Sequence, residues 1–200
     1  MIEWTKAAMK EIIEFVEKAQ DLIDWSQVND MINLLLKTKI KDHSVLVIGM
    51  GRSGFVGKAF ALRLMHLGFR VYVFGETITP AIGKEDVVVA ISGSGETNIV
   101  VRAAEVARNI GATVIAITSR PESPLAKISN KIVIVPGRTR LASEQDYYVR
   151  QLIGEHEPLA PLGTLFEITA MILLDSIIAE LMKRLGLTEE ELKARHATIE

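Results

Sequence analysis

The 200-residue chain has no cysteine. That excludes disulfides, a thiolate nucleophile and any zinc site built on sulfur, leaving histidine and carboxylate as its metal-ligating chemistry. It also lacks the uncharged apolar run of roughly 18 residues that a membrane helix requires. Its opening stretch, MIEWTKAAMKEIIEFVEK, sets acids and bases among the apolar positions and so has no uninterrupted apolar centre of a secretion signal. An excess of one charge is missing too. Lys and Arg number 23 against 25 Asp and Glu, the net charge is −2 and the pI about 6.1, and no basic block exists to attract nucleic acid or an anionic membrane. The expected location is the cytoplasm, with neither nucleic acid nor membrane as partner, and an anionic ligand has to be held by local groups. What the chain does have is apolar content: 48% hydrophobic residues and a mean hydropathy of +0.25 are too apolar for disorder. Its length suits one domain over 1–200 that buries roughly two thirds of its unfolded surface.

Apolar residues recur at helical spacing from Trp4 to Ala19 and again from Val28 to Leu36, so two helices open the chain within 1–40. The pattern then changes to short β-branched runs: Val45–Ile48, Val71–Phe74, Val87–Ile91, Thr113–Ile117 and Ile132–Val135. Runs that are apolar at every position imply strands covered on both faces, hence a parallel sheet over 44–136. Helix-period segments Phe55–Leu67 and Ile99–Asn109 lie between them, each followed by a glycine, Gly68 or Gly111, where a helix C-terminus wants one. This βαβ series predicts a doubly wound α/β domain. From Gly137 to Pro161 there is no strand run, and a short helix plus loop is expected there. Across 161–200, Thr164–Leu185 reads as a long helix apolar enough to meet another subunit, and Thr188-x-x-Glu191 starts a last short helix.

Two glycine-rich turns follow strands. Gly49-Met50-Gly51-Arg52-Ser53-Gly54 fits G-x-G-x-x-G in its proper context, and Glu76 closes the next strand about where a dinucleotide-binding domain keeps its ribose acid. A nicotinamide dehydrogenase therefore competes, as does a plain tight turn. Arg52 and Ser53 set a cation and a hydroxyl beside helix-terminal amides at the carboxyl edge of the sheet. The second turn, Ser92-Gly93-Ser94-Gly95-Glu96-Thr97, combines three hydroxyls with two glycines. Glycines let successive N–H groups converge, hydroxyls add donors, and the helix starting near Thr97 contributes its positive end, which together suit a phosphate monoester without lysine. Glu96 is awkward there and has to point away. No G-x-x-x-x-G-K-[ST] pattern occurs, so a nucleoside triphosphate with magnesium is disfavoured.

A reaction at a carbon-bound proton needs a base, and the candidate is Glu167 in Pro161-Leu-Gly-Thr-Leu-Phe-Glu167, where Leu165, Phe166 and Ile168 offer a partly dry setting. An acid in a helix's first turn is also simply favourable. His196, in Arg195-His-Ala-Thr-Ile-Glu200, lies where a solvated tail is the ordinary expectation. His43, His66 and His156 are assigned to surface or packing, and no metal site is expected.

Taken together these segments resemble the sugar isomerase (SIS) domain family. The Ser/Gly loop marks the superfamily, while Pro161–Glu167 with the terminal Arg195-His-Ala197 is similar to its 6-phospho-3-hexuloisomerase branch. The resemblance implies a three-layer α-β-α sandwich with a five-stranded parallel sheet wound as in flavodoxin, assembled as a homotetramer with sites near subunit boundaries. It implies no cofactor, neither metal nor nucleotide. Gly51, Arg52, Ser53 and Ser92–Thr97 would hold the sugar phosphate, Glu167 would be the base, and His196 would enter from the C-terminal segment. The implied reaction interconverts D-arabino-3-hexulose 6-phosphate and D-fructose 6-phosphate through a 2,3-enediolate, next to a 3-hexulose-6-phosphate synthase in formaldehyde fixation. A 1,2-enediolate aldose–ketose phosphate isomerase and a non-catalytic sugar-phosphate sensor remain open beside it, whereas 200 residues leave little room for a dehydrogenase's substrate domain.

Overall fold

Five β-branched runs become five strands in the computed structural model, which describes residues 2–137 and 159–195. They are β1 (Ser44–Gly49), β2 (Arg70–Val73), β3 (Val87–Ile91), β4 (Thr113–Thr118) and β5 (Lys131–Ile134). All pair in parallel in the order β2-β1-β3-β4-β5, the flavodoxin-like winding that was expected. The chain winds from β1 to β2 in one direction and from β3 through β5 in the other, so the loops after β1 and β3 part company at the sheet's switch point. Ligands of α/β sheets gather there. Register keeps the exits level, since Gly49 faces Ile91 and Ile91 faces Ile117.

Successive strand residues point to opposite faces, and both faces are buried. Val45, Val47, Val89, Ile91, Ile115 and Ile117 belong to one core, Leu46, Ile48, Val88, Ala90, Val114 and Ala116 to the other. Helices α2 (Trp25–Ile40), α3 (Gly51–His66) and α6 (Thr164–Leu185) cover the first, α4 (Asn98–Ile110) and α5 (Pro124–Ile128) the second. Burial on both sides is the reason the strands read as unbroken apolar runs and not as alternation. Helix α1 (Glu3–Ala19) lies outside this sandwich against α6, with Phe15 and Ala19 packed on Ala160 and Leu165. A short α7 (Glu189–Lys193) follows α6.

Helix ends follow local chemistry, and two differ from the periodicity. Helix α2 starts at Trp25, three residues before the first apolar repeat, because Asp24 caps it by accepting the Ser26 N–H at 2.9 Å. Those bonds to Ser26 hold the Asp24 carboxyl below its usual range. Helix α3 starts at Gly51 and not Phe55: the glycine-rich turn is itself the first helical turn, which has no apolar repeat to reveal it. The capping box at α7 forms as read, with Thr188 N–H donating to Glu191 at 2.8 Å and the Glu191 N–H returning to the Thr188 hydroxyl at 3.3 Å.

The apolar excess of α6 is spent mostly inside the chain. Leu165, Phe166, Ala170, Leu173, Leu174, Ile177 and Leu181 are buried between the sheet and helices α1, α2 and α3, and Ile172 stays exposed. Among the described residues no helix is long and apolar enough to cross a membrane. The expected segment with Tyr147, Tyr148, Arg150 and His156 lies outside the described residues. Leu174, 1% exposed at the centre of the larger core, sets the scale of this packing. Leu174→Ala is expected to cost about 2–5 kcal/mol, read as a lower denaturant midpoint at unchanged slope.

Candidate functional site

Three helices begin at the carboxyl edge of the sheet around one cleft. Helices α3, α4 and α6 start at Gly51, Asn98 and Thr164, and none has a side-chain cap on its first turn. Open helix N-termini present N–H groups and a positive field to an anion. The cleft between them measures about 390 Å³. Ser53, Ser92, Gly93, Ser94, Thr97 and Glu167 line it, so the structure brings together six of the residues singled out in the sequence.

The loop after β3 is held from below. The Gly93 carbonyl accepts from the Ser119 N–H at 3.1 Å, the Ser119 hydroxyl at 2.7 Å and the Thr118 hydroxyl at 3.2 Å. The Ser92 and Thr97 hydroxyls lie 3.1 Å apart, closing the loop on itself, and Ser92 Oγ also accepts the Gly95 N–H at 3.1 Å. Gly95 has φ +64°, and a Cβ there would strike Ser123, whose hydroxyl accepts the Ala126 N–H to cap α5. Gly95 therefore shapes the loop from behind; neither it nor Gly51 lines the cleft.

Glu167 sits one turn into α6, its side chain 12% exposed, and its partner is Arg52 on the first turn of α3, whose Nε donates to Oε2. The sequence reading had Arg52 beside a ligand's oxygens; the structure ties it to the carboxylate, and the two flank a recess next to the main cleft. Gly163 makes this possible. It takes φ +90°, and a Cβ on it would press the Glu167 carboxylate at 3.2 Å. Glu96, expected among the ligand residues, does not line the cleft and accepts from Arg120 Nη1 at 2.9 Å. A carboxylate in that position would repel a bound anion, and this one is paired with a cation. Glu76, the dinucleotide-like acid, is likewise occupied, by Lys58 at 2.6 Å.

Ser119 and Arg120 also line the cleft, and the sequence reading missed them. The available signal was the Thr118-Ser119 pair closing β4, the strand beside β3. The opposite wall, Ala160 to Gly163, is held by α1: Glu11 accepts the N–H groups of Leu159 and Ala160 at 3.0 and 3.3 Å. No cluster of three metal-ligating side chains forms among the described residues.

His196 lies outside the described residues, and its neighbour Arg195 does not. Arg195 Nη1 donates to the His66 carbonyl at 2.8 Å, at the C-terminal end of α3, beside Lys39. Burial, then Arg195's charge, hold the Lys39 ammonium below its ordinary value. Ser53 and Arg52 stand at the other end of α3, about 20 Å away along its axis. His43 and His66 are used in packing, with His43 Nδ1 at 3.0 Å from the Glu85 carbonyl and His66 buried.

The loop's dependence on its glycine can be measured. Gly95→Ala is expected to lose about 1–3 kcal/mol in denaturant titration and to loosen the Ser92–Thr97 segment in amide hydrogen exchange.

Comparisons with known proteins agree with this fold. The SIS domain family model matches residues 40–153, more than half of the chain. An uncharacterized protein of Aeropyrum pernix is 53% identical over 192 residues, covering 96% of this chain and 91% of its own. The 3-hexulose-6-phosphate isomerase of Bacillus subtilis is 34% identical over 172 residues, covering 86% and 88%. A Methanococcus jannaschii crystal structure, reported to infer a molecular function of 3-hexulose-6-phosphate isomerase, superposes with TM-score 0.74 at 35% identity over 99% of both chains. Matched by the family model over more than half its length and by relatives of 34–53% identity over most of it, the chain belongs to the SIS domain family.

Proposed function

We propose that this protein is a ketose-phosphate isomerase that interconverts D-arabino-3-hexulose 6-phosphate and D-fructose 6-phosphate. The observation that carries the reading is a shielded carboxylate, Glu167, facing a cradle of neutral donors, Ser92 to Thr97, across one cleft. The names of the relatives at about 35% identity support the same substrate class.

The substrate's own chemistry sets what is needed. With the carbonyl at C3 and O6 esterified, neither O1 nor O5 can close a five- or six-membered ring on it, so the hexulose is open-chain. Glu167 takes the proton from C2, the electron pair forms the C2=C3 bond, and charge collects on O3. The hydroxyl proton on O2 then moves to O3, and Glu167 returns its proton to C3, giving the C2 ketone. As the carboxylate accepts a proton its charge passes to the enediolate, and Arg52, adjacent to both, keeps an anionic partner throughout. Such a preplaced cation lowers the barrier without reorganising. The phosphate rests on the Ser92–Thr97 loop at the N-terminus of α4, and Ser53 faces the polyol.

His196 takes a different place in this reading. Its chain neighbour Arg195 is anchored about a helix length from Glu167 of the same subunit. The histidine therefore acts in the cleft of a second copy, which fits an assembly of several subunits, a homotetramer in the family pattern, in a soluble metabolic setting beside a 3-hexulose-6-phosphate synthase.

Fructose 6-phosphate incubated with the protein in D2O is expected to lose its C3 proton by NMR; loss at C1 would mean a 1,2-enediolate isomerase, and a sample showing neither exchange nor formation of the 3-hexulose would remove this reaction. Glu167→Gln is expected to lower kcat about 100-fold or more with folding intact. Subunit sharing has its own readout: Glu167→Gln and His196→Ala proteins, unfolded and refolded together, should regain activity that neither has alone, and a mixture as inactive as its parts would place both residues in one chain's site.

A further inference from the structure

The anion cradle contains a contradiction that the reaction does not explain. Ser92, Ser94, Thr97 and the α4 N-terminus offer only neutral donors, and Glu96, next to last in the same loop, adds a carboxylate. A dianion seated among those donors lies within one loop's width of that carboxylate. At such separations, in the partly screened mouth of a cleft, two like charges lose roughly a factor of ten in affinity.

Arg120 resolves it. It comes from the turn after β4, next to Ser119, and its backbone N–H donates to the Thr118 hydroxyl at 3.3 Å, so its start is fixed by the same threonine that supports Gly93. Its guanidinium donates to Glu96 Oε1 at 2.9 Å. Of the two partners, Arg120 lines the cleft and Glu96 does not. The cation thus stands on the ligand side of the pair and the carboxylate behind it. Arg52, the other arginine nearby, is already bonded to Glu167 in the neighbouring recess.

We propose that Arg120 is a positioning residue for phosphate: by pairing with Glu96 it screens and turns aside the one carboxylate of the cradle, and so permits a phosphate dianion to enter. The inference rests on the reading of the cleft as a sugar-phosphate site and adds the residue on which its charge balance depends. Both side chains are about half exposed, so the pair contributes little to folding, and its effect is on the ligand.

Calorimetric titration of inorganic phosphate and of fructose 6-phosphate into the full chain tests this, using the parent protein, R120A, R120Q, E96Q and the double variant R120A/E96Q. Both single arginine variants should weaken phosphate about tenfold. E96Q should bind at least as tightly as the parent, and the double variant should return to within about threefold of it, because removing the carboxylate removes the need for the screen. Two results overturn the proposal while leaving the sugar-phosphate site standing: R120A and R120Q within about twofold of the parent, or a double variant as weak as R120A, which makes Arg120 a direct ligand or a prop for the loop. A parent protein that binds neither anion removes the sugar-phosphate reading itself, and this inference with it.

Discussion

A parallel sheet sends the carboxyl end of every strand to the same edge, and here that constraint decides where chemistry can happen. Each strand must be followed by a segment that turns and climbs back, so the turns after β1, β3 and β4 collect at one rim. The pairing of Gly49 with Ile91 and of Ile91 with Ile117 brings those exits level. From that level start the helix carrying Arg52 and Ser53, the loop of Ser92 to Thr97, and the Ser119–Arg120 turn beneath it. Helix α6 is no part of a βαβ unit, yet it lies on the same core and brings Glu167 to the same rim. Burial of both sheet faces fixes the strand ends from which the rim departs, and fixed starting points are what the positioning of a base against a carbon atom requires.

Charge at the rim is arranged in pairs that each bridge distant parts of the chain. Arg52 meets Glu167 across 115 residues and Arg120 meets Glu96 across 24. A cleft intended for an anion cannot tolerate a bare carboxylate, and both acids near this one have an arginine. The donors that face the cleft are otherwise hydroxyls, backbone amides and helix ends. Neutral donors of this kind hold an anion by direction more than by net charge, in keeping with a chain whose total charge is close to zero.

Much of this was legible in the sequence, and the illegible parts share a cause. The strands could be read because a doubly buried strand must be apolar at every position. The Ser92–Thr97 loop could be read because its chemistry is contiguous. The first turn of α3 was missed as helix because Gly51 to Gly54 has no apolar repeat, and α2's true start depended on a cap, Asp24, that lies ahead of the periodic stretch. Ser119 and Arg120 were missed for a different reason: one hydroxyl and one cation after a strand form no pattern, and they gain meaning only when β4 is known to lie beside β3. Arg52's tie to Glu167 is of the same kind, a contact made by the fold between two motifs each recognised separately.

Helix α1 stands apart from the sheet, and its attachment gives it a part in the cleft that its sequence does not suggest. It touches α6 with Phe15 and Ala19, and Glu11 holds the two N–H groups of Leu159 and Ala160, the start of the wall opposite the phosphate loop. The two sheet cores contain no residue of this helix. Shortening the chain at its beginning, or attaching a bulky fusion there, would thus leave a folded sheet with one wall of its cleft unmoored. A preparation altered in that way would lose the packing of Phe15 and Ala19 on Leu165 together with the hold on that wall, so the amino terminus is a poor place for an affinity handle and the integrity of residues 3–19 is a sensible control for any assay of this protein.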